Sequence, residues 1–583
     1  MCYIIVMRYL FILSYLIFFV GLTIFKKTNK KINIIRYLVL QIMLVMIFSV
    51  MLMTILFIFG IGTVPIFVSS VLGVFGIILI ILTIKRKSIQ KYEFRWVDFM
   101  ATMFIMVVAV MVGIRLFGTG LNIAYNNADP AAHFYNAQNN LINGKHSGMY
   151  FYEVNNALIM NGLGVFTSST FMNYKLYLII EIGMLALSGL MFYVLIAEFA
   201  KNKKRCGICA VITVLYMLGY SLNNMIFGFG YLGVAVTLIC FLMVICKKLW
   251  DGKISLKIFV PLIAMSVLSL ALCYMLFAPI IWILVFIIVL GYCRKNKIGL
   301  KKTAMIELGI FAVPLILAIK FCYFDFFLAT DLSISKQLQA PGGFYKNYGT
   351  NFVIFAPIAL YAIVQNIRKK KSFITMMFVL GWSIFVFLGI FIKQMGLMSP
   401  YYFIKIYYVM WLMVFVVFTD GMMQMIDGNA ELLGFIFVTV LALVVGAFSI
   451  NMSSLMDVYE YNFNWLKSHY TISDETIAAY KYANDEIIDK GKKITWIANI
   501  YHFEKAFWFY SMQAIGTNEC NYCQPWNYDK DGLKKIIKQE DVEYIGIYKF
   551  APDSYENYKS VFEHEKIVFE NTEIAIYALA NKK

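Results

Sequence analysis

The chain has 583 residues, of which 61% are hydrophobic and 14% are charged. Soluble domains carry about 25% charged residues, so the composition excludes a soluble enzyme and indicates a membrane protein with several spans. The net charge of +18 does not indicate nucleic-acid binding, because residues 1–450 carry +23 and residues 451–583 carry −5, as expected when Lys and Arg accumulate in the short cytoplasmic connections of a membrane protein.

Apolar segments predict an α-helical polytopic membrane protein, since a spanning helix needs about 20 mostly apolar residues. Some neighbouring segments could merge, so the prediction is about 14 spans, with a range of 12 to 14. The fourteen segments are 3–25, 34–59, 64–84, 98–117, 173–197, 207–221, 226–246, 257–272, 275–292, 303–322, 350–367, 373–392, 401–419 and 432–450.

Six basic connections predict the orientation of these spans. They fall on the same side of the fourteen spans and hold 27 Lys and Arg, so that side is expected to be cytoplasmic. The long loops 118–172 and 323–349 and the tail 451–583 are then expected outside the cell, with the chain in the plasma membrane. The basic connections are 26–36, 85–95, 201–205, 247–257, 294–302 and 368–371.

The tail differs from the rest of the chain in composition and is predicted to form an extracytoplasmic α/β domain. Its hydropathy pattern and helix-capping residues predict helices over 471–490 and 531–539 and strands over 493–499, 542–548 and 573–579. Cys520 and Cys523 form a lone Cys-Asn-Tyr-Cys, which is open to a small disulfide or two free thiols, because a structural zinc site needs four ligands.

Asp129 is the strongest candidate catalytic residue, because the loop 118–172 holds few carboxylates. Pro130 follows it and favours a helix that begins there, which places His133 one turn further along. A carboxylate at a helix start is kept ionised by the helix dipole. Asp129 is therefore interpreted either as a general base assisted by His133 or as a helix N-cap.

Arg115 and Lys405 are candidate binding residues. A charge at or within a membrane span costs free energy, and such a charge usually faces a partner or a cavity. Arg115 ends the span before the long loop, and Lys405 follows Tyr402 in the run 398–411. Either a phosphate is held by these cations, or Lys405 extends its amine to the membrane surface. Glu153 is the reserve carboxylate of the loop.

Amide and tyrosine side chains crowd the same loop. They suit a hydroxyl-rich ligand through hydrogen bonds and ring stacking, although the same residue types are abundant along the whole chain. They are Asn122, Asn126, Asn127, Asn136, Asn139, Asn140, Asn143, Asn155, Asn156 and Asn161, with Tyr125, Tyr135, Tyr150 and Tyr152.

Two motifs carry a resemblance to a known family. Asn-Ala-Asp-Pro-Ala-Ala-His at 127–133 lies in the first long loop, and Tyr-Tyr-Phe-Ile-Lys-Ile-Tyr-Tyr at 401–408 lies in a late span. With many spans and a soluble tail, the chain resembles the C-type membrane glycosyltransferase (GT-C) superfamily, which uses lipid-linked sugar donors. The resemblance implies transfer of a hexose or pentose from a polyprenyl-phosphate donor to an acceptor hydroxyl. It further implies that Asp129 acts on the hydroxyl, while Arg115 and Lys405 hold the lipid phosphate.

The resemblance also implies a domain organisation and a set of partners. Residues 1–97 would be a three-span extension, 98–450 the catalytic membrane region, and 451–583 the outer domain. The partners are the polyprenyl-phosphate sugar donor, a glycan, lipid or protein acceptor, and the bilayer, with no nucleic acid. No cofactor is assigned, and a divalent cation at Asp129, Asp325 and Asp331 stays open because no tight ligand spacing supports it.

Two other classes stay open. A transporter, flippase or polymerase-like protein that handles lipid-linked glycans would need ionisable residues deep in the bundle and repeated halves. A non-catalytic scaffold would use the tail as a binding module.

Overall fold

The structure is a computed structural model that describes most of the chain. The residues it describes are 2–25, 31–59, 65–87, 89–122, 129–143, 150–164, 170–199, 205–328, 334–340, 342, 352, 354–369, 371–426, 457–468, 473–497, 508, 522–523, 543–549 and 559–579.

Apolar helices dominate these residues. Twelve of them are long and apolar enough to cross a membrane, so the chain is a multi-pass membrane protein. They correspond to twelve of the fourteen predicted segments. Segment 350–367 overlaps the helix Ala356–Lys369, whose 14 residues are fewer than a span needs. Pro357 lies in the first turn of that helix and cannot continue a helix from upstream. Segment 432–450 lies outside the described residues.

The helices are numbered in chain order. They are α1 Cys2–Ile24, α2 Ile34–Ile58, α3 Pro65–Lys85, α4 Trp96–Phe117, α5 Asp129–Asn143, α6 Tyr150–Gly164, α7 Thr170–Ile196, α8 Arg205–Tyr216, α9 Leu222–Phe227, α10 Gly230–Trp250, α11 Leu256–Cys273, α12 Ala278–Lys295, α13 Leu300–Ala318, α14 Ile334–Gln339, α15 Ala356–Lys369, α16 Phe373–Gln394, α17 Pro400–Met425, α18 Asp457–Ser468 and α19 Asp474–Ala483. Wider π-helical turns follow at Met217–Ser221, Ile319–Leu328 and Asn484–Ile488.

The chain divides into two compact units. The first unit comprises Met1–Gly113, His146–Leu158 and Ile180–Ser468, and the second comprises Ile114–Lys145, Ile159–Ile179 and His469–Lys583. Most of the apolar helices therefore belong to the first unit, and the helix α5 belongs to the second.

Close helix packing in the first unit depends on small residues. A Cβ atom on Gly21 of α1 would lie 2.5 Å from the carbonyl oxygen of Gly76 in α3, and one on Gly76 would lie 2.6 Å from that of Ile17. Membrane helices associate largely through such backbone contact, because lipid is as apolar as their side chains. The two glycines therefore fix where α1 and α3 cross.

The first unit contains a broken helix between α8 and α9. Gly219 leaves helical geometry at φ −83° and ψ −121°, and a Cβ atom there would lie 2.5 Å from the Trp411 ring. Asn462 of α18 donates hydrogen bonds of 2.8 Å to the carbonyl oxygens of both Leu218 and Gly219. Irregular backbone inside an apolar bundle persists only when its polar groups are satisfied in this way. The α18 helix therefore stabilises the break.

A buried ion pair connects three helices of the first unit. Asp98 of α4 is 1% exposed and accepts from the Arg36 guanidinium of α2 at 2.8 Å. It also accepts from the Tyr193 hydroxyl of α7 at 2.6 Å and from the Asn33 amide at 2.5 Å. Arg36 further donates to the Ala197 carbonyl oxygen at 3.1 Å. The segment before residue 97 is thereby tied to α4 and α7.

The second unit contains a mixed β-sheet. Its strands are β3 Ile494–Ile497, β4 Tyr522–Cys523, β5 Tyr544–Tyr548, β6 Lys566–Glu570 and β7 Ile574–Ala578. The strands β1 Ile32–Asn33 and β2 Tyr92–Glu93 form a separate short parallel pair in the first unit. Within the described residues the sheet order is β4-β3-β5-β7-β6. Strand β3 is parallel to both β4 and β5. Strand β7 is antiparallel to both β5 and β6.

Three predicted strands of the tail are confirmed as β3, β5 and β7. The predicted helix from residue 471 is confirmed as α19, where the Ser473 hydroxyl accepts from the Thr476 amide at 3.1 Å. Strand β6 was not predicted. The predicted helix 531–539 and Cys520 lie outside the described residues.

The Asp98 cluster should be a strong determinant of stability. Replacing Asp98 with Ala leaves the Arg36 guanidinium buried without its counter-charge, which we expect to cost about 3–5 kcal/mol of unfolding free energy. Replacing Lys253 with Ala removes an ion pair to Glu198 in which the lysine is 45% exposed, and should cost at most about 1 kcal/mol. Thermal unfolding of both variants in detergent measures the difference. Equal melting temperatures of the two variants would contradict a stabilising role for the Asp98 cluster.

Candidate substrate site

The amine of Lys405 lies inside an aromatic cage in the first unit. Lys405 is a charged residue in the apolar helix α17, and it is only 2% exposed. Its Nζ atom donates hydrogen bonds of 2.7 Å to the hydroxyls of both Tyr231 and Tyr401. The predicted interpretation in which the amine extends to the membrane surface is therefore wrong, because the side chain is buried and its amine is held by α10 and α17.

Ring faces complete the cage around the same amine. The centroids of five aromatic rings lie within 6 Å of Nζ: Tyr401 at 3.9 Å, Phe229 at 4.8 Å, Tyr231 and Tyr402 at 5.2 Å, and Tyr274 at 5.7 Å. The negative faces of aromatic rings attract a cation, and this attraction grows where water is excluded. The hydroxyls and rings together hold the ammonium in one position.

The cage connects to a buried carboxylate through Tyr152 of α6. The Tyr152 hydroxyl donates to Oε1 of Glu181 in α7 at 2.5 Å, and its ring lies 6.4 Å from the Tyr231 ring. A Cβ atom on Gly230 would lie 2.5 Å from that hydroxyl. Glycine at the start of α10 is what allows Tyr152 to reach Glu181.

Polar residues that follow Tyr152 on α6 are buried as well. Glu153 is 2% exposed, Asn155 is 3% exposed and Asn156 is not exposed. Polar groups inside an apolar bundle are costly and mark functional sites more often than they stabilise the fold. The α6 helix therefore brings a carboxylate and two amides into the interior of the first unit.

The Asp129 motif lies in the second unit. The α5 helix begins at Asp129, with Pro130 in its first turn, as predicted. Asp129 is half-buried, and His133, one turn along the helix, is 6% exposed. The negative charge of Asp129 at the start of α5 is stabilised by the helix dipole.

A residue of the tail packs beside this motif. Trp508 is fully buried, and its ring centroid lies 6.1 Å from Phe134 and 5.7 Å from Tyr174. Phe134 is adjacent to His133 in α5. Tail residues thus help to fix the helix that begins with Asp129, a role that the sequence did not indicate.

The other predicted site residues are placed as follows. Arg115 is exposed in the last turn of α4, and Tyr402 is half-buried in the cage around Lys405. Asn127 lies outside the described residues, and so does Asp331. Among the described residues no group of three or more His, Cys, Asp and Glu side chains could hold a metal ion.

Sequence reasoning missed the residues that form the cage with Lys405, apart from Tyr402. Tyr401 carries a usable signal, because residues four apart on a helix are neighbours and Tyr401 precedes Lys405 by four. Tyr231 and Tyr274 carry none, since Tyr231 reaches the cage from α10 and Tyr274 from the extended residue that follows α11.

Comparison of the chain with protein-family models and with curated proteins gives no match. The fold itself defines a multi-pass membrane protein with a buried cation that aromatic rings surround.

The position of Tyr152 should depend on Gly230. Replacing Gly230 with Ala forces the 1%-exposed Tyr152 ring to move, which we expect to cost about 1–3 kcal/mol of unfolding free energy. Replacing Gly233 with Ala places a Cβ atom at 3.8 Å from the Asn224 amide nitrogen, an ordinary contact, and should stabilise the α10 helix slightly. Melting temperatures of the two variants in detergent measure the contrast. If Gly230→Ala is as stable as Gly233→Ala, Tyr152 does not lie against Gly230.

Proposed function

We propose that this protein is a plasma-membrane glycosyltransferase of the GT-C type. It transfers a hexose or pentose from a polyprenyl-phosphate donor to a hydroxyl of a glycan, lipid or protein on the outer face of the membrane. The buried Lys405 ammonium carries the proposal, because a cation held inside an apolar bundle suits a phosphate that arrives from the bilayer on a lipid chain. The basic connections and the Asp129 motif support it.

The roles follow from the chemistry of each group. The Asp129 carboxylate accepts the proton of the acceptor hydroxyl as its oxygen attacks the anomeric carbon of the sugar. The bond from that carbon to the phosphate oxygen breaks, and polyprenyl phosphate leaves with the bonding electrons. Lys405 stabilises the negative charge on the leaving phosphate, because its ammonium is already oriented before the charge develops. Direct displacement inverts the anomeric configuration.

Four further predicted residues have supporting roles. His133 and Asn127 flank Asp129 along the motif and position the acceptor, Glu153 is the reserve carboxylate, and Tyr402 faces the Lys405 amine. The lipid donor diffuses in the bilayer while the acceptor stays in water, which is why such an enzyme needs polar chemistry at a membrane face.

Asp129 should be required for transfer. Asp129→Asn keeps the shape of the side chain but removes the base, and we expect turnover to fall by about 10²–10⁴-fold. The measurement is transfer of label from undecaprenyl-phosphate-linked hexoses or pentoses to cell-derived glycan in vesicles that contain the full chain. Asp474→Asn is the matched control, because Asp474 is also an acidic residue in the first turn of a helix and is exposed. Full activity of Asp129→Asn would remove Asp129 as the base.

Lys405 should bind the lipid phosphate. Lys405→Met removes the cation while keeping an unbranched side chain, and we expect affinity for undecaprenyl phosphate to fall about 10-fold or more, the effect of about 1.4 kcal/mol. Lys393→Met is the control, since Lys393 is exposed and its amine lies 5.0 Å from the Phe403 ring centroid. Binding is measured on purified protein in nanodiscs. Equal affinities for the two variants would contradict the phosphate role.

A transporter of lipid-linked glycans is the second candidate, and the broken helix at Gly219 favours it. Discontinuous helices form the substrate sites of many transporters. A transporter would move a fluorescent lipid-linked sugar across the vesicle membrane without changing its covalent structure. The glycosyltransferase would instead produce free polyprenyl phosphate in proportion to glycosylated acceptor, so mass spectrometry of the lipid distinguishes the two functions.

A further inference from the structure

Several buried polar atoms of the first unit have no hydrogen-bond partner among the described residues. Neither the Nδ2 nor the Oδ1 atom of Asn156 has one, and neither does Nδ2 of Asn155. The same holds for Oδ1 of Asn224 and the hydroxyl of Tyr274. An unsatisfied buried polar group costs about as much as a lost hydrogen bond, so several in one region need an explanation.

Asn224 and Tyr274 lie close to residues of α10, and helix periodicity places Asn155 and Asn156 on the side of α6 that faces it. Asn155 and Asn156 lie three and four residues after Tyr152, on the side of α6 that meets Gly230. A Cβ atom on Gly233, one turn along the same face of α10, would lie 3.8 Å from the Asn224 amide nitrogen. The Tyr274 ring lies 5.6 Å from the ring of Tyr231, whose hydroxyl binds the Lys405 amine.

Contacts elsewhere in the unit show what a structural amide looks like in this protein. Asn462 is fully buried, and its Nδ2 atom donates to two carbonyl oxygens while its Oδ1 atom accepts from the Asn223 amide at 3.1 Å. The other amide of the network, Asn223, accepts from the Tyr408 hydroxyl at 2.7 Å. The amide of Asn156 is equally buried, but no such contact supports a structural role for it.

We infer that Asn155, Asn156, Asn224 and Tyr274 bind the sugar ring of the lipid-linked donor. Amides both donate and accept, as sugar hydroxyls do, and tyrosine rings pack against the apolar faces of sugars. The sugar of the donor is bonded directly to its phosphate, so a phosphate at Lys405 places the sugar beside the same helices. This inference rests on the proposed function, because it needs a phosphate at Lys405.

The binding test separates the sugar from the phosphate. Purified full chain in nanodiscs is titrated with undecaprenyl phosphate and with undecaprenyl phosphate bearing one glucose, mannose, galactose or arabinose. The ratio of the two dissociation constants measures what the sugar contributes. We expect a ratio of about 10 or more for at least one sugar in the wild-type protein, since several hydrogen bonds to a buried site are formed.

Two variants test the residues. Asn156→Leu and Tyr274→Phe remove polar atoms with little change of shape, so each should bring the ratio towards one. Asn156 lies outside the Lys405 cage, so Asn156→Leu should also leave affinity for undecaprenyl phosphate within about twofold. The melting temperature should not fall for either variant, because no contact to a described residue is lost, whereas Asn462→Leu, the matched control, should lower it.

Each other result overturns the inference in a distinct way. A wild-type ratio near one for every sugar, or an unchanged ratio in both variants, means that these residues do not bind the donor sugar. A melting temperature of Asn156→Leu as low as that of Asn462→Leu means that the amide is structural. Absence of binding to every lipid in the wild-type protein would instead reject the proposed function, and the inference with it.

Discussion

The burial of one charged amine constrains the arrangement of the first unit. Lys405 is 2% exposed inside an apolar helix, so its charge must be balanced by oriented neighbours. Hydroxyls from α10 and α17 accept hydrogen bonds from the amine, and the centroids of five aromatic rings lie within 6 Å of it. Tyr231 of α10, which accepts from Lys405, packs against Tyr152, and the Tyr152 hydroxyl donates to Glu181. A cation that needs this many supporting groups is costly to keep unless it serves binding or catalysis.

Irregular backbone in the first unit has a structural explanation of its own. The break at Gly219 releases two carbonyl oxygens, and Asn462 satisfies both. The same Asn462 accepts from Asn223, whose neighbour Asn224 has an Oδ1 atom without a hydrogen-bond partner among the described residues. The unit thus contains two kinds of buried amide: Asn462 holds the backbone, whereas Asn224 has an oxygen without a hydrogen-bond partner among the described residues. The distinction is physical, because only replacement of the first should destabilise the fold.

Local patterns in the sequence were sufficient for some features of the fold. Apolar length predicted about fourteen spans, and the structure confirms twelve of them as helices long and apolar enough to span a membrane. Pro130 and Ser473 predicted the starts of two helices. The candidate site was less accessible to such reasoning. Lys405 stood out as a charge in a span, but Tyr231 and Tyr274 approach it from distant parts of the chain, and Trp508 approaches Phe134 from the tail. Contacts between residues far apart in the chain leave no periodic signal.

The direct test of the account is a comparison of lipid-linked sugars and surface glycans in cells with and without this protein. If it transfers a sugar from a polyprenyl-phosphate donor, cells that lack it should lose one sugar from a surface glycan, lipid or protein and accumulate the matching polyprenyl-phosphate sugar. Returning the wild-type chain should reverse both changes. Unchanged glycans together with an unchanged pool of lipid-linked sugar would contradict the account.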